Sequence, residues 1–188
     1  MKKNNIELLK SSNGKTSTIS LLYCDEDTDI RLKNRSYQMY PGYIVLCHPA
    51  ITWASTNKIT IISFHDSFFD SLFYSQIADC KIIYDFITTR NSCEYDHLFF
   101  KADPSNDFKN LFEFLKREIY HTDSYSTKLQ HLLAVGLFTL LDRKRPTNLV
   151  IQNSTMIAKN RFGKILKYMG DHFDECTLQD VASKFSYN

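Results

Sequence analysis

Thr177-Leu178-Gln179-Asp180-Val181-Ala182-Ser183-Lys184-Phe185-Ser186-Tyr187-Asn188 is the stretch on which the reading of this chain turns. The Thr177 hydroxyl is placed to accept from a backbone N–H three residues on, and the Asp180 carboxylate falls in the first turn, near the positive end of a helix dipole. Leu178, Val181, Ala182 and Phe185 then share one helical face. Upstream, Phe162, Ile165, Leu166, Met169 and Phe173 repeat at helical spacing, and the polar Asp174-Glu175-Cys176 separates the two stripes. Two short amphipathic helices joined by a tight turn, with the small Ala182 at their crossing, make the first two-thirds of a helix-turn-helix.

Working outward, residues 146–156 hold more turn formers than core formers and sustain no period, so they read as a linker, which we bound at 147–156. Before it lie two longer stripes. Phe108, Leu111, Phe112, Leu115 and Ile119 stand behind Asp103-Pro104, which predicts an N-cap with proline at the first helical position. Leu129, Leu132, Leu133, Gly136, Leu137, Leu140 and Leu141 follow, and Arg143-Lys144-Arg145-Pro146 predicts the helix end, with cations beside the last carbonyls. These stripes, in residues 101–146, would pack as an antiparallel pair or against a second copy of the chain; Leu129, Leu132, Leu133, Leu137 and Leu140 are the candidates for a dimer face. A weaker helical stripe runs through Phe68, Phe69, Leu72 and Phe73.

Residues 1–100 read differently. Thr18–Tyr23, Ser36–Tyr40, Tyr43–Cys47 and Lys58–Phe64 are β-rich runs, with turn signals at Asn13-Gly14, Asp25-Glu26-Asp27, Pro41-Gly42 and Thr56-Asn57. Pro41 presets φ and Gly42 can take the positive φ of a type II turn. Several short strands in series predict a sandwich or barrel. The fold class expected is therefore α+β: a barrel or jelly roll, then antiparallel helices, then the helical segment at 157–188.

Composition sets the bounds. The chain has 188 residues, 43% hydrophobic and 23% charged, which excludes wholesale disorder and a coiled-coil rod. Its apolar runs are too short to span a bilayer, and no apolar segment of signal-peptide type follows Met1-Lys2-Lys3, so a cytoplasmic location away from membranes is expected. Five cysteines without a C-x-x-C pair fit neither a zinc knuckle nor a disulfide framework. Charge is uneven: residues 1–141 hold 15 basic and 16 acidic groups, whereas 142–167 hold seven basic and only Asp142. That asymmetry points to a polyanion near the C-terminal part.

The residues Ile165-Leu166-Lys167-Tyr168-Met169-Gly170-Asp171-His172-Phe173 and Thr177 to Asn188 closely resemble the opening of the DNA-binding domain of AraC-type bacterial transcription regulators. In that family an "I-x-x-Y-I" helix precedes "Leu-x-x-Val/Leu-Ala-x-x-Phe" and a polar residue that opens the recognition helix, where Asn188 stands here. Tyr40-Pro41-Gly42-Tyr43-Ile44-Val45-Leu46-Cys47-His48-Pro49 is similar to a strand of the family's cupin-like sensor barrel, and Ile59 to Phe69 to the strand and short helix near its end. The resemblance implies a cupin-like sensor, a homodimer, promoter DNA as partner of the full-length protein but not of this stretch alone, an unidentified small-molecule or protein effector, and RNA polymerase as a further partner. Arg161, Lys164, Lys167 and Lys184 become phosphate-contact candidates. Ile165, Met169, Thr177, Leu178, Val181, Ala182, Phe185 and Asn188 become the scaffold. The family carries two such units and the chain departs from it by stopping before the first recognition helix. A fragment or a truncated gene is the expectation, with no preference for operator over random DNA.

The alternative is a cupin-type binding protein or metal-dependent enzyme without DNA function. His48 has no H-x-H partner and His65 stands alone, so no metal, cofactor or catalytic residue is expected. Cys47 and His48 are neighbours on a predicted strand and point to opposite faces, which defeats them as a nucleophile and base. A sensor needs only a concave pocket with a few polar groups. Arg31, Arg35, Tyr43, His48, Trp53 and Phe64 are the pocket candidates.

Overall fold

The computed structural model of the chain describes residues 5–89, 96–121, 123–150, 168 and 177–185. It divides into two compact units, 1–150 and 151–188. The first holds one sheet of β1 (Ile6–Lys15), β2 (Ile19–Tyr23), β3 (Thr28–Leu32), β4 (Arg35–Met39), β5 (Ile44–Cys47), β6 (Thr52–Phe64) and β7 (His97–Phe100). Every ladder is antiparallel. The order is β4-β3-β6-β2-β5-β7, with β1 on the other edge of β6.

The long strand β6 shapes the sheet. Along one edge it carries β1; along the other, Thr60–Phe64 pair with β2 while Trp53–Ser55 pair with β3. Opposite β1 the register jumps, because Ser11 faces Ile59 and Asn13 faces Ala54. The residues between bend the strand and curl the sheet into a half-barrel. Thr56 and Asn57, expected as a turn, sit at this kink inside β6. Thr28 Oγ1 lies 3.0 Å from Thr56 Oγ1, and Asn57 Nδ2 donates to the Asp27 carbonyl at 2.8 Å, so their turn-forming groups brace the bend. Asn13-Gly14 likewise lies within β1 and makes no turn, Gly14 pairing with Trp53. The Pro41-Gly42 turn does form: Gly42 has φ +88, and the Tyr43 N–H donates to the Tyr40 carbonyl at 3.0 Å.

Both faces of the sheet are covered, which is why β2 and β5 are buried along their whole length and mainly apolar. Leu21, Leu46, Ile62 and Phe64 face the helices; Leu22, Val45 and Ile61 face into the curl with Ile30, Leu32, Met39, Trp53 and Phe99. The helices are α1 (Ser71–Gln76), α2 (Lys81–Thr88), α3 (Asp107–Ile119), α4 (Ser126–Arg143) and the short α5 (Arg145–Asn148), with a 3-10 turn at Asp66–Phe68. Phe108, Phe112 and Leu115 of α3 and Ala134, Leu137, Phe138 and Leu141 of α4 are buried in one core with the outer sheet face.

One helix end differs from expectation and one meets it. Asn106, at φ 60, precedes α3, and Pro104 lies in the turn ahead of it. Asp103 still serves that end, accepting from the Asp107 N–H at 3.2 Å. Its side chain is buried and takes Lys144 Nζ at 2.9 Å, which ties the end of α4 to the start of α3. Burial would raise the Asp103 pKa, but the bonds from Ser105 and Lys144 outweigh it and hold it at about 2. α4 ends at Arg143 as the sequence predicts, with the proline just beyond, where it sits in the opening turn of α5.

Candidate functional site

The half-barrel ends on β4 at one side and β7 at the other, and no backbone ladder joins these two strands. Side chains close the gap. The Tyr37 ring of β4 stacks on Phe99 of β7, centroids 4.9 Å apart and 25° from parallel. Its hydroxyl lies 2.9 Å from His97 Nε2, and at the adjacent turn Lys33 Nζ pairs with Asp96 at 2.8 Å. Tyr43 adds an edge contact to Phe99 at 5.8 Å. A curled sheet can bring its first and last strands together this way without exchanging a single ladder bond.

The chemistry of the seam follows from its charges. Asp96 accepts from His97 Nδ1–H, which leaves Nε2 as the acceptor for the Tyr37 hydroxyl. Burial chiefly lowers the His97 pKa, Arg35 and Lys33 push the same way, and Asp96 opposes them. Burial would raise the Asp96 pKa, but Lys33 and His97 more than offset it and the carboxyl sits below its ordinary value. Neutral imidazole beside a charged carboxylate is thus the resting state. Cys47, paired in register with His97, is buried and its thiol is pushed far up by burial and then by Asp96. It is no nucleophile.

The outer edge of β7 carries the chain's exit from this unit. The Lys101 N–H donates to the Asn148 carbonyl and the Val150 N–H to the Phe99 carbonyl, both at 2.8 Å, with Leu149 bridged to Phe100. The buried Asn148 side chain donates to the Ala102 carbonyl at 2.8 Å. Leu149 packs against the helix-side core and Val150 against the core inside the curl. One strand therefore touches the seam through its side chains and the exit through its backbone.

The predicted pocket residues separate. Arg31 and Trp53 line one open groove of about 520 Å³ with Lys33, Asn34, Thr52 and Ala54. Tyr43 borders the seam, and Arg35 acts on His97 by its charge. Phe64 is on the helix side, packed on Phe68 and Phe138, and cannot face the interior of the curl. His48 is buried against Phe86, ring centroids 4.0 Å apart. Of the dimer candidates, Leu129 and Leu132 are exposed and Leu133 and Leu140 half-buried, while Leu137 belongs to the core of its own unit. Among the described residues no group of three metal-ligating side chains comes together, and no helix is long and apolar enough to cross a membrane. Tyr37, His97, Asp96 and Lys33 were not candidates from the sequence.

In the second unit the Leu178–Phe185 helix opens with a reciprocal cap. Asp180 accepts from the Thr177 N–H at 2.8 Å and the Thr177 hydroxyl at 2.6 Å, while the Asp180 N–H donates back to Thr177 Oγ1 at 3.3 Å. Val181 is buried, and the exposed Lys184 sits 4.0 Å from the Tyr168 ring centroid. Leu178, Ala182 and Phe185 lie on this helix. Arg161, Lys164, Ile165, Lys167, Met169 and Asn188 lie outside the described residues.

A curled antiparallel half-barrel backed by helices, followed in the chain by a second unit that carries the Leu178–Phe185 helix, is thus the class of molecule. No family model matches the chain, and no curated relative does. Among solved structures it overlays on ToxT from Vibrio cholerae at 15% identity and TM-score 0.48, covering 97% of this chain and 71% of that one. ToxT bound to (E)-4-(8-methylnaphthalen-1-yl)but-3-enoic acid gives 16% and 0.47 over 97% and 71%, and the AraC-like transcriptional activator CuxR 8% and 0.38 over 97% and 64%. At these identities and scores no overlay assigns a role to any residue here.

Proposed function

We propose that this chain is a transcription regulator of the AraC type, in which residues 1–150 sense an effector and set subunit geometry and 151–188 carry the scaffold of a helix-turn-helix. The observation that carries the reading is the reciprocal Thr177–Asp180 cap opening the Leu178–Phe185 helix, at the place where the sequence resemblance puts the second helix of that motif. The same resemblance makes promoter DNA the partner of the full-length protein, with RNA polymerase beside it. Arg161, Lys164, Lys167 and Lys184 would hold phosphates; such contacts position a protein on the duplex without specifying sequence.

Signal transfer would run through β7. An effector that favours one state of the β4–β7 seam over another shifts the population of arrangements of Asn148–Val150, from which the second unit continues covalently. The exposed Tyr125, at the N-cap of α4, and Leu129 and Leu132 along it recur at helical spacing and offer a face to a second copy. Immunoprecipitation of the tagged product of the whole native reading frame with crosslinked chromatin tests the function. Discrete peaks at promoters are expected; coverage no different from an untagged strain would overturn the reading.

A further inference from the structure

We propose that the cavity between the end of β2, the Pro41-Gly42 turn and the first turns of α3 binds the primary ammonium group of a small organic amine. It holds about 300 Å³, the small end of the range for ligand sites. Tyr23, Asp25, Gly42, Phe108 and Glu113 are among its walls.

The polar groups share one side of the sheet. Tyr23 stands opposite Thr60, and Thr60 opposite Lys10, across β2, β6 and β1, so all three project to the face that α3 covers. The Tyr23 ring stacks on Phe112 of α3, centroids 4.2 Å apart and 16° from parallel. Asp25, just past the end of β2, is held on that side by Thr60 Oγ1, which donates to its Oδ2 at 2.6 Å, and by Lys10 Nζ at 3.1 Å from the same oxygen. Glu113 follows Phe112 on α3 and pairs through Oε1 with Lys116 at 2.6 Å.

Three polar atoms are left over. Tyr23 is 2% exposed, and its hydroxyl makes no hydrogen bond among the described residues. Asp25 Oδ1 and Glu113 Oε2 make none there either, because the bonds to each carboxylate fall on its other oxygen. A buried phenol without a partner is costly, and this one lies within the field of both acids. Burial first, then the charges of Asp25 and Glu113, push its pKa up to about 12, so it stays neutral between them. An ammonium group, with three N–H donors and one positive charge, matches the three atoms in number and in sign. Lys109, one turn ahead of Glu113, also lines the cavity, but it is exposed and makes no ion pair among the described residues, so it does not neutralise the acids.

The cavity borders the chain's exit. Ala102 and Asp103 are in its walls too, and they hold Asn148 and Lys144 through bonds of 2.8 and 2.9 Å. A bound amine therefore acts on the contacts that fix Asn148. As an effector site the cavity rests on the sensor reading; as a binding site it does not.

Isothermal titration calorimetry of the full chain with n-butylammonium chloride, against tetramethylammonium chloride and potassium chloride at matched ionic strength, tests the site. Saturable binding of n-butylammonium, with none for the two reference cations, is expected. Glu113→Gln should weaken it about tenfold or more through loss of a charge-assisted bond. Tyr23→Phe keeps the ring on Phe112, gives up no bond of the free protein, and should weaken binding about three- to tenfold. No saturation, an equal response to either reference cation, or unchanged affinity in either variant would each overturn the proposal. Glu113 is partly exposed, so its variant tests the site without risking the fold. The titration contains no DNA, so it and the chromatin experiment fail independently.

Discussion

Tyr37→Phe isolates one bond of the seam. The variant keeps the ring stacked on Phe99 and removes only the hydroxyl that lies 2.9 Å from His97 Nε2. His97 is 8% exposed, so the imidazole nitrogen loses its phenolic donor where water has little access. A neutral hydrogen bond is worth about 0.5–1.5 kcal/mol, and stranding a buried partner costs about 1–3 kcal/mol, so a loss of about 1–2 kcal/mol is expected. If closing the seam supports the exit strand on β7, most of that appears locally. Amide hydrogen exchange at Val150 and Lys101, whose N–H groups make the 2.8 Å bonds to the Phe99 and Asn148 carbonyls, should quicken by about 5- to 30-fold. Amides of β2 and β6, paired far from the seam, should change by less than about twofold. The reasoning is refuted if the Val150 and Lys101 amides keep their rates while the His97 ring resonance shows the bond is gone. It is equally refuted if every sheet amide quickens together, since the seam would then support the fold as a whole and nothing in particular.

Three further outcomes are expected. His97 has a folded-state pKa below its unfolded value, so its stabilisation is complete above about pH 6.5 and declines as pH falls from there toward the folded pKa; thermal melts between pH 7.5 and 5 should show that slope, and His97→Gln should flatten it. Phe138→Ala empties the core between Phe64 and Phe73 and should cost about 3–5 kcal/mol in urea unfolding; a loss under about 1 kcal/mol would mean the helices do not pack on the sheet as described. Leu132→Lys places a charge on the exposed α4 face and should turn a dimer into a monomer in sedimentation without altering circular dichroism; an unchanged mass would remove this face as the contact.

The parts of the fold legible in the sequence are those whose burial is independent of curvature. β2, β5 and the second half of β6 are mainly apolar because both faces are covered, and α3 and α4 show their stripes because each buries one side. β1 escaped because Lys10-Ser11-Ser12-Asn13-Gly14 is polar, and it is a strand only by virtue of its partner β6. α2 escaped because its start is capped from 60 residues away, Asp142 accepting from the Ile82 and Ile83 N–H groups at 3.1 and 3.4 Å. The seam was invisible for the same reason. Tyr37 and His97 are 60 positions apart and meet only after β6 bends, so no local spacing marks them. Arg31 and Trp53 could be chosen as pocket residues by type, a polar group and an aromatic; that both border one groove while their side chains point to opposite faces of the sheet follows from the β3–β6 register, which pairs Arg31 with Ala54 and Trp53 with Leu32.

The exit strand has a bearing on handling the molecule. An uncovered β-strand edge recruits other chains, and Asn148–Val150 hide the outer edge of β7 with the protein's own backbone. A first unit cut ahead of Asn148 would present the strand His97–Phe100, three of its four residues apolar, with a bare row of amides, and would be expected to aggregate. Cloning boundaries placed after Val150 keep this guard, and any event that peels it away creates a sticky surface in the same stroke.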